Sequence, residues 1–201
     1  MREPLTMDDY MGTRMLSDPL GKLDCCLVTD GAAAVVITAS DRERDMATRP
    51  VKLLGAASMT SHANISSMPD LTVTPLAEGG PRALAAAGLT PADIDVVELY
   101  DAFTINTILF LEDLGFCPKG EGGRFVEGGR IGPGGELPVN TNGGGLSCMH
   151  PGMYGLFPVI EAVRQLRGIC GERQIPGART ALAQGNGGQL SSQSVCVLAM
   201  D

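Results

Sequence analysis

The chain has 201 residues, 44% of them hydrophobic, which is enough for one large or two small domains with a real core. Its formal net charge is −8 with the basic residues scattered, a balance that argues against a nucleic-acid partner. No apolar run is long enough to span a bilayer and no basic start leads into an apolar segment, so a soluble, cytoplasmic protein with no membrane partner is expected.

Taken in order, Thr6 is placed to cap a short helix over Met7-Asp8-Asp9, with two acids in its first turn. Ala32 to Ile37 is a continuous apolar run and predicts a buried strand. The charged stretch 41–45 reads as a solvated helix face or linker, and Arg49-Pro50 marks a boundary between a segment 1–48 and a domain 50–201. Val51 to Ala57 predicts a strand, and 58–71 a loop in which His62 reads most simply as a loop residue, with lining a substrate entrance as the alternative. Thr74-Pro75 starts a helix that ends at Gly88, with Gly79-Gly80-Pro81 weakening its first turns. Ile94 to Tyr100 predicts a strand, and Thr104 to Leu114 a nearly all-apolar helix that should be buried. The glycine-rich stretch 117–135 has the length of a lid or binding loop. Thr180 to Ala183 and Ser194 to Met200 predict strands joined by a tight turn at Gly185-Asn186-Gly187-Gly188.

Strands alternating with helices after Pro50 indicate an α/β fold, in which ligands gather where strand ends converge. Three turns are candidates to meet there, at Tyr100, His150 and Gly185. The middle one organises the rest. In 140–155, Gly143, Gly144 and Gly145 allow a sharp turn, and His150 follows just before an apolar pattern at helical spacing from Met153 to Leu166. A helix entrance favours developing negative charge, which suits acyl chemistry. A glycine turn and a lone histidine also occur as plain structure, although His150 is one of only two histidines. The six cysteines show no CxxC pair, so they read as reduced thiols, and no metal site is expected. Cys148 and Cys196 are read as packing residues.

The three turns together resemble the C-terminal half of the thiolase superfamily, nearest to its sterol-carrier-protein-x and lipid-transfer branch, which includes steroid side-chain aldolases. Val97 to Phe103 sits where thiolases carry Asn-Glu-Ala-Phe or His-Asp-Cys-Phe. Gly143 through Gly152 is similar to the family's Gly-His-Pro turn, and 183–188 takes the place of its Cys-x-Gly turn. Residues 5–40 resemble the end of the family's N-terminal half.

The resemblance implies an αβαβα layered fold, with one sheet after Pro50, a buried Thr104–Leu114 helix beneath it, and outer helices on the other face. The segment before Ser40 would supply strands to a domain not in this chain and would be under-packed. Family members are about twice this long and carry their nucleophilic cysteine in the first half, so Met1 reads as a truncated or misassigned start, and the fragment alone would be inactive. Two positions depart from the family: Gly185 replaces the acid/base cysteine, and Tyr100 replaces the Asn or His that polarises the thioester. The site implied has His150 and Tyr100 as catalytic residues. Gly143, Gly144, Gly145, Gly152, Tyr154, Gly185, Gly187, Asp101 and Phe103 would contact substrate. The substrate is a coenzyme A thioester, with no permanently bound cofactor. The reaction makes or breaks a C–C bond beside that thioester in lipid or steroid degradation, either as an acyltransferase or as a retro-aldol lyase on a β-hydroxyacyl-CoA. A non-catalytic acyl-CoA-binding subunit is a third reading. Implied partners are a homodimer or heteromer through the other half, and a small zinc-ribbon/OB-fold subunit.

Overall fold

The computed structural model describes residues 4–200. Thr6 caps helix α1 (Met7–Met11) as expected: its hydroxyl accepts from Asp9 N at 3.1 Å while Asp9 Oδ2 accepts from Thr6 N at 3.0 Å. A small hairpin follows, β1 (Met15–Ser17) with β2 (Leu20–Gly21), and then a 3₁₀ turn at Lys22–Asp24. Asp24 pins this segment to the rest, accepting from Tyr10 Oη and Thr104 Oγ1, both at 2.7 Å.

The expected buried strand at Ala32 to Ile37 does not form: Val36 is 90% and Ile37 84% exposed, and no regular structure is present before the 3₁₀ turn Ser40–Asp45. An apolar run encodes a tendency to be covered, but a strand needs an edge to pair with, and none of the described residues offers one here.

The main sheet holds β3 (Lys52–Thr60), β4 (Val96–Glu98), β5 (Thr180–Gly187) and β6 (Ser192–Ala199) in the order β3-β6-β5-β4. Its β4–β5 pair is parallel and the other two pairs are antiparallel. Strand alternation sorts the core into two halves. Val97, Leu182, Val195 and Val197 point to one face with α2 (Leu76–Ala87) and α3 (Thr104–Asp113); Val96, Ala181, Ala183 and Leu198 point to the other with α6 (Leu156–Leu166). Helix α2 lies so close to β3 that a Cβ on Gly55 would collide with the Ala83 carbonyl, and Gly80 lets it approach Leu114. The glycines that weakened this helix in the sequence are what permit its packing.

Three expectations change. Helix α3 shares the α2 face instead of lying alone beneath the sheet, burying Phe110, Leu111 and Leu114 while Ile105 stays 44% exposed. An all-apolar helix does not itself specify which face it covers. The glycine-rich stretch folds into α4 (Gly122–Phe125) and a 3₁₀ turn at Glu127–Gly129, and leads to Pro138–Asn140 along the free edge of β4, with Val139 bridging Val97. Finally, β5 runs straight through Gly185 and Gly187, paired with Ser194 and Ser192, so the turn falls at 188–191, where Gly188 and Leu190 have positive φ. Glycine permits a turn, but the ladder hydrogen bonds outweigh that permission here.

Candidate active site

The carboxyl ends of β4 and β5 and the approach to α6 converge on one cluster of rings. Tyr100 follows β4, and its N–H is held by Gln184 Oε1 of β5 at 2.9 Å. Its ring meets His150 edge-on at 5.2 Å between centroids and Tyr154 edge-on at 5.6 Å. His150 stacks on Tyr154 at 5.7 Å, and Tyr154 on Phe157 at 5.6 Å. Tyr100 Oη donates to Gly152 O at 3.2 Å. A Cβ on Gly155 would lie 3.3 Å from Gly185 Cα, so the two backbones touch beside the Tyr100 ring. Residues 100, 150 and 185 therefore converge, as the strand-end argument expected, although Gly185 does so from within strand β5 and not from a turn.

The turn carrying His150 is built by hydrogen bonds from β4. Asn140, at φ 51°, tolerates the left-handed region and accepts from Leu99 N at 2.6 Å. The Asp101 carboxylate accepts from Gly145 N at 2.6 Å and Leu146 N at 3.3 Å, and any side chain at Gly144 would overlap it. The short helix α5 (Gly144–Ser147) results. Residues 25–31 strap across this turn: Cys26 N donates to Ala102 O, Leu27 N to Gly145 O, and His150 N to Thr29 Oγ1 at 3.0 Å.

Burial sets the electrostatics. It lowers the His150 pKa, so the ring is neutral at pH 7, and Nε2 is buried with no hydrogen-bond partner among the described residues. Burial raises Tyr100, with the Tyr154 backbone opposing, and raises Tyr154 well above the phenol range, with Asp101 and Glu98 adding to it. Asn142 faces the Tyr154 hydroxyl without closing a well-formed hydrogen bond. Asp101 is pushed up to about 6 by burial against the two N–H donors. A neutral imidazole with a free nitrogen, flanked by two phenols in an apolar shell, can accept and return a proton with little water present. Beside it, on the α6 face of the sheet, an open cleft of about 400 Å³ is lined by Ala56, Ser58, Gly155, Val159, Gly185 and Cys196.

Of the other residues expected to contact substrate, Gly143 at φ 96° opens the turn and Gly152 supplies the carbonyl to Tyr100. Gly187 lies in the β5–β6 ladder and Phe103 sits at the N-cap before α3, 39% exposed, both outside the ring cluster. His62 instead clamps a hairpin, with Ser61 Oγ at 2.8 Å and Gln189 O at 3.1 Å. The dipole argument for His150 does not hold, because α6 starts only at Leu156 and Met153 is 87% exposed in the loop before it. The sequence reading missed Thr29, Glu98, Asn140, Thr141 and Gln184. Of these only Glu98 carried a signal, a lone acid inside an apolar strand.

This constellation on a layered, mixed α/β sheet defines a thiolase-like domain. The thiolase C-terminal domain-like family profile matches residues 57–200, and the chain belongs to that family. It is 38% identical to an acetyl-CoA acetyltransferase of Methanothermobacter thermautotrophicus, over 97% of this chain and 51% of that protein. It is 42% identical to the 17-hydroxy-3-oxo-4-pregnene-20-carboxyl-CoA lyase of Mycobacterium tuberculosis, over 83% of this chain and 44% of that protein. Among solved structures, the Ltp2-ChsH2(DUF35) aldolase superposes with a TM-score of 0.91 at 32% identity, covering all of this chain and 52% of that one. The chain thus spans about half the length of these relatives. No helix among the described residues is long and apolar enough to cross a membrane.

Proposed function

We propose that this chain is the C-terminal half of an acyl-CoA enzyme that cleaves or forms the C–C bond beside a CoA thioester, by retro-aldol chemistry on a β-hydroxyacyl-CoA. The carrying observation is a proton-handling site made of a neutral imidazole and two phenols, with bare backbone at Gly185 where a thiol would be needed to shuttle a proton in acyl transfer. The β-hydroxyl proton passes to His150 Nε2, directly or through the Tyr100 phenol. The Cα–Cβ bond breaks, the β-carbon leaves as an aldehyde or ketone, and the electron pair becomes the thioester enolate. Tyr154 Oη is a donor for the enolate oxygen, and the imidazolium returns its proton to the α-carbon. The balance is one β-hydroxyacyl-CoA to one carbonyl compound and one shorter acyl-CoA, with neither water nor free CoA consumed. Identity to steroid-type lyases and the fold match to an aldolase support this reading. The same aldolase supports a heteromeric assembly, with a zinc-ribbon/OB-fold subunit as the proposed partner, and a cytoplasmic location is proposed with it.

Acyl transfer is the second reading, favoured by the identity to an acetyl-CoA acetyltransferase along nearly the whole chain. Incubating the native assembly with 3-hydroxyacyl-CoA and 3-oxoacyl-CoA series, each with and without free CoA, separates the two. A carbonyl product released from the hydroxy series without CoA is the expected result. Strictly CoA-dependent cleavage of the oxo series overturns it in favour of acyl transfer. Binding of both series without turnover leaves an acyl-CoA-binding subunit. His150→Ala should lower turnover by about 10²–10⁴-fold, and Tyr100→Phe by less.

A further inference from the structure

Behind the active-site turn, on the α6 side of the sheet, lies a polar cluster that the chemistry above does not use. Glu98, at the end of β4, and Glu161, on α6, are both fully buried. Their Oε1 atoms lie 2.8 and 2.9 Å from the same Thr141 hydroxyl. Thr141 belongs to the turn that leads to His150.

The hydrogens in this cluster can be counted. Ile175 N–H donates to Gln165 Oε1 at 2.9 Å, which fixes the orientation of that amide. Gln165 Nε2 then donates one hydrogen to Arg173 O and the other to Thr141 Oγ1, each at 2.9 Å. Thr141 Oγ1 is left with one proton and one lone pair for two carboxyl oxygens. It can donate to one carboxylate, so the other carboxyl must donate to it. Glu161 is the ionised member: Arg173 Nε reaches Oε1 at 2.8 Å and its terminal nitrogen reaches Oε2 at 3.2 Å, and Arg173 with Thr141 holds Glu161 below the usual range despite burial. Among the described residues Glu98 forms no ion pair, and its Oε2 is buried without a partner.

We propose that Glu98 is a positioning residue that stays protonated at neutral pH and donates to Thr141 Oγ1, tying the turn that presents His150 to strand β4. Ionising Glu98 would set two carboxylates against one hydroxyl and loosen that turn. The groups facing Glu98 favour the neutral form. Glu161, Asp101, Tyr154 and Cys170 are coupled to it electrostatically, and Arg173 is committed to Glu161. Burial accordingly pushes Glu98 up to about 8, against the opposing hydrogen bonds from Thr141.

Infrared spectroscopy of the native assembly tests this without relying on any assumed reaction. At pH 7 the wild type should show the carbonyl stretch of a protonated carboxyl, and Glu98→Gln should lack it. The band should titrate away as pH rises through about 8. If the band is absent, or survives Glu98→Gln, the proposal is wrong. The activity readout rests on the function proposed above. Glu98→Gln, which keeps a donor toward Thr141, should retain kcat at pH 7 and keep it at alkaline pH, where the wild type declines; an unchanged alkaline limb would remove Glu98 from control of the turn. Should Glu98→Gln fail to fold, Thr141→Val serves instead. It should keep the band present and shift it to the frequency of a free acid; a band unmoved by losing the hydroxyl overturns the shared-proton arrangement.

Discussion

Two apolar stretches of similar character end up in opposite environments. Ala32 to Ile37 has no regular structure and is largely exposed, whereas Val195, Val197 and Leu198 in β6 are buried between β3 and β5. Composition does not separate them; available partners do. β6 finds a strand on each side and helices on both faces, while the earlier run passes the active-site turn and then has nothing to pair with among the described residues. Helix α6 shows the same effect more mildly. Its strongly apolar positions Phe157, Ile160 and Val163 are only half-buried, while the face against the sheet carries Glu161, Ala162 and Gln165. Relatives twice as long have a further half of their chain for such surfaces.

Substitutions can break this contrast. Gly55→Val should be the most damaging, because its side chain would enter the Ala83 carbonyl and force α2 off β3; a loss of roughly 3 kcal/mol or more is expected in urea unfolding. Leu182→Ala, at a fully buried site between β4 and β6, should cost roughly 2–5 kcal/mol in the same experiment. A value near zero would mean that the sheet is not the stable core.

The pH dependence should also come from the packed region. Glu98, pushed up to about 8, and Asp101, up to about 6, hold protons in the folded state that the unfolded chain releases near pH 4. At these two groups the native protein binds more protons over that interval, so their contribution to stability falls as pH rises from about 4 through about 8 and then levels off. Each group sets a slope of at most about 1.4 kcal/mol per pH unit. Urea midpoints measured across this range check the sign, and Glu98→Gln should remove the upper part of the decline.

Two smaller effects probe the strap. Thr29→Val removes the acceptor of His150 N–H, which should cost about 1 kcal/mol and lower turnover while leaving the sheet intact. Val36→Ser, at the exposed run, should change the stability of this chain by less than about 0.5 kcal/mol. A large loss there would show that the run is covered in solution.

Local signals in the amino-acid order were enough to place Thr6 as a cap, α2 with its Gly88 stop, β3, and the convergence of residues 100, 150 and 185. Each depends on periodicity, capping or a resemblance carried by contiguous residues. The face taken by α3, the continuation of β5 through its glycines and the exposure of Ala32 to Ile37 depend on which surfaces come together, and the chain order does not state that. The same holds for the network behind the site. Glu98, Thr141, Glu161, Gln165 and Arg173 are spread over 76 positions, and each alone reads as an ordinary polar residue. Only folding brings two acids to one hydroxyl, and the proton count at that hydroxyl is a property of the tertiary arrangement.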